Sequence, residues 1–268
     1  MGSGSWKVLD DTSLYCWSLF PEAEEAESGL GIVIHYHGGP ITPDKAALMA
    51  WRGRHAFVSW AHPEQIELIS SVTQSFALDN GAFSAWKSSR MINWEDYYSW
   101  SERWLSHPSC DWAIIPDVID GTEQENDSLV EEWPHGFSGV PVWHMNESVE
   151  RLERLSERWP RVAIGSTQEF DVSKPSACVA RLSEVLPSIT LSNGFLKTKL
   201  HGLRMLSPYI TSRIPLSSGD STNIARNIKI DKKWTSYGPF TKETRALVLA
   251  ERIESVVTPH KLLLGSEE

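Results

Sequence analysis

The stretch Ala56–Asp79, AFVSWAHPEQIELISSVTQSFALD, reads as strand, helix, strand. Residues 56–60 (AFVSW) form a short apolar run, and His62-Pro63-Glu64 follows with the form of a helix start, proline in its first turn. The segment continues helically through IELISSV, and SFALD (75–79) is a second compact apolar run ending in an acid. Strands that alternate with helices imply a parallel sheet.

The same unit recurs along the chain. Strand candidates are GIVIHY (31–36), AFVSW (56–60), SFALD (75–79), WAIIPD (112–117), VPVWH (140–144), RVAIGS (161–166), KLHGL (199–203) and RIPLSS (213–218). Helical segments lie between them, among them TPDKAALMAW, with a second Pro-containing start at Thr42-Pro43-Asp44, and WEDYYSWSERWL. Eight strands of continuous apolar character predict an α/β fold, a closed (β/α)8 TIM barrel over residues about 30 to 230. It would carry an N-terminal extension, 1–29, and a C-terminal helix at about 240–258 that closes the barrel or covers its bottom. A doubly wound open sheet is the alternative. Neither a GxGxxG nor a GxxxxGK[ST] turn occurs, so no Rossmann or P-loop phosphate site is expected.

Composition narrows the function classes. The 268 residues, 41% of them hydrophobic, suffice for a full core. No apolar run approaches the roughly 18 residues of a membrane span. The N-terminus lacks a basic region followed by an apolar one, and its GSGS has the form of a cloning remnant. Cys16, Cys110 and Cys178 are too scattered for a disulfide framework or a thiolate metal site. A cytoplasmic protein without membrane contact is expected. With 25 Lys+Arg against 35 Asp+Glu, the net charge of −10 argues against wrapping duplex nucleic acid, though residues 197–233 are locally basic. Most of the 13 tryptophans should be core or helix-packing residues.

In a barrel of this type the chemistry lies where strands end and loops begin. The polar residues falling there are His35 and His37, then Ser59, Trp60 and His62, then Asp79 and Asn80. Asp117, His144, Gly165, Ser166, His201 and Asp220 complete the rim. Any one has a structural explanation: Asp79 opens an ordinary Asp-Asn-Gly turn, and Asp220 precedes Ser-Thr-Asn, a helix-start sequence. Their convergence points to an active site.

Several of these segments resemble the tRNA-guanine transglycosylases, which exchange guanine for a 7-deazaguanine base. LDNGAFSAW (78–86) is similar to that family's Asp-Ser-Gly-Gly-Phe-Gln signature. Residues 38–66 run like its first βαβ unit, WAIIPD resembles the strand ending in a base-reading Asp, and VAIGS the Gly-rich strand end near the base. LHGL resembles the following strand, and DSTNIARN the segment opening with the nucleophilic Asp. The chain is similar above all to short phage and prophage members, relatives of which modify DNA.

The resemblance implies Asp220 as the nucleophile and Asp79 as acid/base partner, with Asp117, Gly165, Ser166, His144, His201 and Phe83 about the base. Tyr36 and Trp60 would be further stacking surfaces, and Arg226 and Lys229 would face phosphates. The implied partners are a nucleic acid, DNA or tRNA, and a free guanine or 7-deazaguanine. The implied state is monomer or homodimer, and no cofactor is needed. The family's zinc motif, Cys-x-Cys-x-x-Cys with a later His, is absent, so no structural metal is expected. Ser84 stands where the family has Gln, and Asn80 and Ala82 also differ. Two other function classes fit part of the rim. His35, His37, His144 and Asp220 are placed as in a metal-dependent amidohydrolase. A non-catalytic base- or nucleotide-binding module would use the same pocket.

Overall fold

A computed structural model describes residues 30–31, 33–237 and 240–262; the N-terminal extension, with GSGS and Cys16, lies outside the described residues. The barrel strands are β1 (Ile34–Gly38), β2 (His55–Ser59), β3 (Ser75–Asp79), β4 (Cys110–Ile114) and β5, in two pieces (Gly139–Val140 and Val142–His144). They continue with β6 (Arg161–Gly165), β7 (Lys199–Gly202) and β8 (Ser218–Ser221). The hydrogen-bonded order runs from Gly139–Val140 through β4, β3, β2, β1, β8, β7 and β6 to Val142–His144. Both ends of that order belong to one strand, so the sheet returns on itself as a parallel barrel.

Pro141 divides β5 because it has no amide to give a ladder. Its carbonyl still accepts from Ala163 at 2.9 Å, while that of Val140 accepts from Ile115 at 3.0 Å, so β5 joins β4 on one side and β6 on the other.

The helices are α1 (Asp44–Trp51), α2 (Ile66–Val72), α3 (Ala82–Lys87), α4 (Trp94–Leu105), α5 (Glu123–Glu132) and α6 (Val149–Arg158). After them come α7 (Pro175–Val185), α8 (Pro208–Thr211), α9 (Asn223–Asn227) and α10 (Lys242–Glu254). Side-chain caps start several of them. Asn93 accepts from Glu95 N, Ser148 from Arg151 N and Thr241 from Thr244 N, while Thr122 and Glu125 form a reciprocal capping box. The proline starts lie slightly outside the helices: Pro43 is the cap of α1, and Pro63 accepts a turn hydrogen bond from Ile66, where α2 begins.

Both faces of the sheet are buried, which is why its strands read as apolar runs rather than alternations. Tyr36, Phe57, Ala77, Trp112, Ile114, Val140, Val142 and Ala163 fill the barrel. Phe76, Leu78, Ile115, Trp143, Val162 and Leu200 pack outward against the helices. α10 packs against α1, so it closes the ring of outer helices and does not cover the barrel's bottom. The chain then pairs Thr258–Pro259 antiparallel with Leu30–Gly31. Among the described residues no helix is long and apolar enough to cross a membrane.

Three strands depart from their sequence boundaries by more than one residue; WAIIPD shifts, the strand being Cys110–Ile114 with Asp117 three residues beyond it. GIVIHY splits, Leu30–Gly31 pairing with the C-terminal segment and Ile34 onward entering the barrel. RIPLSS supplies only the first residue of β8: Ile214 and Leu216 are core residues, and the ladder holds Ser218–Ser221.

Candidate active site

A cavity of about 280 Å³ opens at the C-terminal ends of the strands. Its lining includes Asp79, Asp117 and Asp220, from the ends of β3, β4 and β8, with Phe83, His144, Gly165, Ser166, Arg204 and Arg226. The volume is at the small end for a ligand site and suits one nucleoside-sized group.

Asp220 lies within β8 and is buried. Its contacts fall on one oxygen: Oδ1 accepts from the Arg204 amide at 2.7 Å and lies 3.5 Å from His201 Nε2. It does not cap α9; Ser221 Oγ accepts the Asn223 amide at 3.0 Å instead. Asp79 is the last residue of β3. Burial pushes its carboxyl up to about 6, opposed by the Ser59 hydroxyl, with the nearby charges of Asp220 and Asp117 adding to the rise.

Asp117 is held on both sides. Asn80 Nδ2 donates to Oδ1 at 2.7 Å, and His144 Nε2 lies 2.9 Å from Oδ2. The Asn-Gly turn after β3 makes the first contact possible. Asn80 Oδ1 accepts the Ala82 amide at 2.8 Å, and Gly81, at φ +78°, begins α3 where an added Cβ would meet the Ala61 amide at 3.1 Å. Phe83, on α3, faces the cavity from this turn.

His144 sits between two acids, with Nδ1 3.6 Å from Glu147 Oε1. Burial works against its cation, but the contact with Asp117 and the charges of Asp117 and Glu147 outweigh it and raise the imidazole to about 9. Glu147 in turn accepts from Arg151 Nη1 at 2.7 Å and Asn126 Nδ2 at 3.1 Å. His144, with its pKa raised, thus holds the Asp117 carboxyl at the cavity wall. Gly165 is required for that placement, since a Cβ there would meet His144 Cδ2 at 2.6 Å.

Not every residue expected at the rim reaches it. His201 is fully buried below Asp220, with Nδ1 2.9 Å from Ser218 Oγ and its ring 4.8 Å from that of Trp112. It supports the Asp220 oxygen from inside the barrel and does not line the cavity. Lys229 lies beyond the end of α9, exposed and away from the cavity that Arg226 lines. Tyr36 is deep in the barrel, bonded to Asp111 at 2.6 Å, and Trp60 packs on Trp100 in the helical layer.

His35 and His37 fall on the outer face of β1, because side chains alternate and Tyr36 between them points inward. His37 Nε2 bonds Glu254 of α10 at 2.9 Å. They stand on the opposite side of the sheet from Asp220, so the three cannot share a metal.

Two contributors, Glu147 and Arg204, escaped sequence reading, and Asn80 was placed on the rim without a role. Glu147 had a signal, its i+3 spacing from His144. Arg204, two residues past β7, had none beyond belonging to a basic segment. Its guanidinium carbon lies 3.7 Å from the Phe83 ring centroid, and its Nη2 donates to Ser166 Oγ.

No family model matches the chain, and no curated protein matches it.

Proposed function

We propose that this protein exchanges a guanine in a nucleic acid, DNA or tRNA, for a 7-deazaguanine base through a covalent glycosyl ester on Asp220. One observation carries this reading: Asp79, Asp117 and Asp220 line a single nucleoside-sized cavity in different surroundings. Carboxylates with separated environments are suited to separate roles.

Asp220 Oδ2, the oxygen opposite the anchored Oδ1, attacks the sugar C1′. The glycosidic C1′–N9 bond breaks as the C1′–O bond forms, and its electrons pass to the base. Asp79, raised to about 6, is partly protonated near neutral pH and gives its proton to the departing base. The incoming base loses a proton to the same carboxylate, attacks C1′ and releases Asp220. A carboxylate facing an oxocarbenium-like transition state is the chemistry of retaining glycosidases.

Asp117 keeps a free lone pair on each oxygen beyond its bonds to Asn80 and His144, enough to accept the ring N–H and exocyclic amine of a guanine-like base. Phe83 offers a stacking face. The cavity's size favours a nucleotide turned out of its stack over an intact duplex.

The test is incubation with DNA and tRNA carrying labelled guanine, followed by intact-mass measurement of the denatured protein. Label release with a protein–nucleic acid adduct is expected from one polymer. Binding without release or adduct would leave a non-catalytic base-binding module, and release only with water would make it a glycosidase.

A further inference from the structure

Arg204 has no part in that scheme, yet it lines the cavity between Asp220 and Phe83. Its backbone is fixed twice: φ is +60°, a left-handed conformation unusual for a side chain of this size, and its amide donates to Asp220 Oδ1 at 2.7 Å. The side chain therefore starts from a pinned Cα beside the candidate nucleophile and can move only by rotamer.

Its guanidinium covers the two surfaces allotted to the base. The carbon lies 3.7 Å from the Phe83 ring centroid, and Nη2 donates to Ser166 Oγ. A separation of 3.7 Å is a single van der Waals layer. A purine between the two planes would need about 7 Å, two contacts of roughly 3.5 Å. Guanidinium is planar, delocalised and stacks on aromatic faces, so it imitates the ligand it excludes.

The way out leads to the mouth, where Lys87 and Arg226 line the cavity and are exposed. An arginine drawn there meets two more cations, an arrangement that is unfavourable alone and favourable around a phosphate.

We propose that Arg204 is a specificity-determining residue: it occupies the purine's place over Phe83 in the empty pocket and leaves it when an acceptor phosphate draws its guanidinium to the rim. The empty pocket then rejects a free base and admits a nucleotide within a strand. Once the strand is attached, its phosphate holds Arg204 aside, and the incoming free base finds Phe83 uncovered. This rests on the base-exchange reading, and the experiment separates the two.

Tryptophan-quenching titrations with guanine, and with short single-stranded DNA and RNA oligonucleotides containing one guanosine, compare wild type, Arg204→Ala and Arg204→Lys. Thermal melting checks the fold of each. Removing the plug in Arg204→Ala should tighten guanine binding about tenfold and weaken the preferred oligonucleotide about tenfold, the size of one charge-assisted contact. Arg204→Lys keeps the charge without the planar stack, so it should gain guanine affinity and retain most of its oligonucleotide affinity. If the wild type binds the oligonucleotide and Arg204→Ala binds guanine no tighter, or loses both ligands alike, Arg204 is an ordinary ligand contact and the proposal fails alone. If neither wild type nor variant binds either ligand, the purine pocket fails and Arg204's role with it.

Discussion

Asp220 is set apart by where its hydrogen bonds fall. With the Arg204 amide on Oδ1 and His201 beneath, Oδ2 is the oxygen left for chemistry. Asp220→Asn is almost isosteric and removes no cap, because Asp220 makes no bond to α9, whose first amide, Asn223 N, donates to Ser221 Oγ. The variant should fold and melt like wild type while losing base exchange and the covalent adduct; wild-type exchange with labelled guanine would refute the nucleophile. Asp79→Asn should retain residual turnover, since a positioned acid is typically worth about 10² to 10⁴ in rate. Base release should fall as pH rises through about 6, where Asp79 loses its proton, and this dependence should vanish in Asp79→Asn.

Asp79 and His144 give stability a pH dependence of the same sign in two different windows. Asp79 titrates higher folded than unfolded, so the native state holds its proton longer and stability falls as pH rises from about 4 to about 6. Asp79→Asn should abolish that fall and stabilise the protein at pH 7 by on the order of 1–2 kcal/mol. His144 is also raised, to about 9, but as a base. Its contribution is complete below about 6.5 and disappears as pH rises through about 9. Urea unfolding across pH 4–10 for wild type, Asp79→Asn and His144→Gln checks the shared sign and separates the two windows.

Among the elements, those whose boundaries were legible have local determinants. α4 occupies WEDYYSWSERWL and β3 occupies SFALD, the first begun by its Asn93 cap and the second closed by the Asn-Gly turn. α3 was hidden because Asp-Asn-Gly is also a sufficient turn; only the Asn80 bonds across to β4 turn the following residues into a helix. At the end of β6, Gly165 serves tertiary packing. Gly165→Ala should push His144 off Asp117 and cost about 1–3 kcal/mol, as overpacked sites do. The His144 ring protons, followed by NMR, should then titrate nearer the ordinary histidine range.

Across the molecule, the first and last segments are joined. α10 packs on α1, and its Glu254 reaches both His37 and Arg54. Beyond it Thr258 Oγ1 donates to the Ile214 carbonyl at 2.7 Å and accepts the Leu216 amide at 3.2 Å, holding the segment that leads into β8. Thr258→Val removes both bonds and leaves the Leu216 amide and the Ile214 carbonyl only their 2.8 Å bond to each other, which should cost about 0.5–1.5 kcal/mol. If β8 depends on that anchor, Asp220 shifts with it, and exchange should weaken more than the stability loss explains. An unchanged melting temperature would show that Thr258 anchors nothing.

The alternation of apolar runs and helices was enough to specify a parallel α/β sheet and to favour a barrel over an open sheet, because strands buried on both faces and capped helices carry their signals locally; closure itself is a tertiary fact. The same regularity placed Asp79, Asp117, His144 and Asp220 near strand ends, on the rim. Which way each side chain points was not legible. A shift of one residue reverses a strand's faces, and that sent His35 and His37 to the helical layer. Depth was decided by packing, which drew His201 and Tyr36 into the barrel. Arg204 reaches its place between Asp220 and Phe83 through a backbone conformation and three contacts to residues 16 to 121 positions away in sequence. No local pattern encodes such contacts, because they exist only once the barrel has closed.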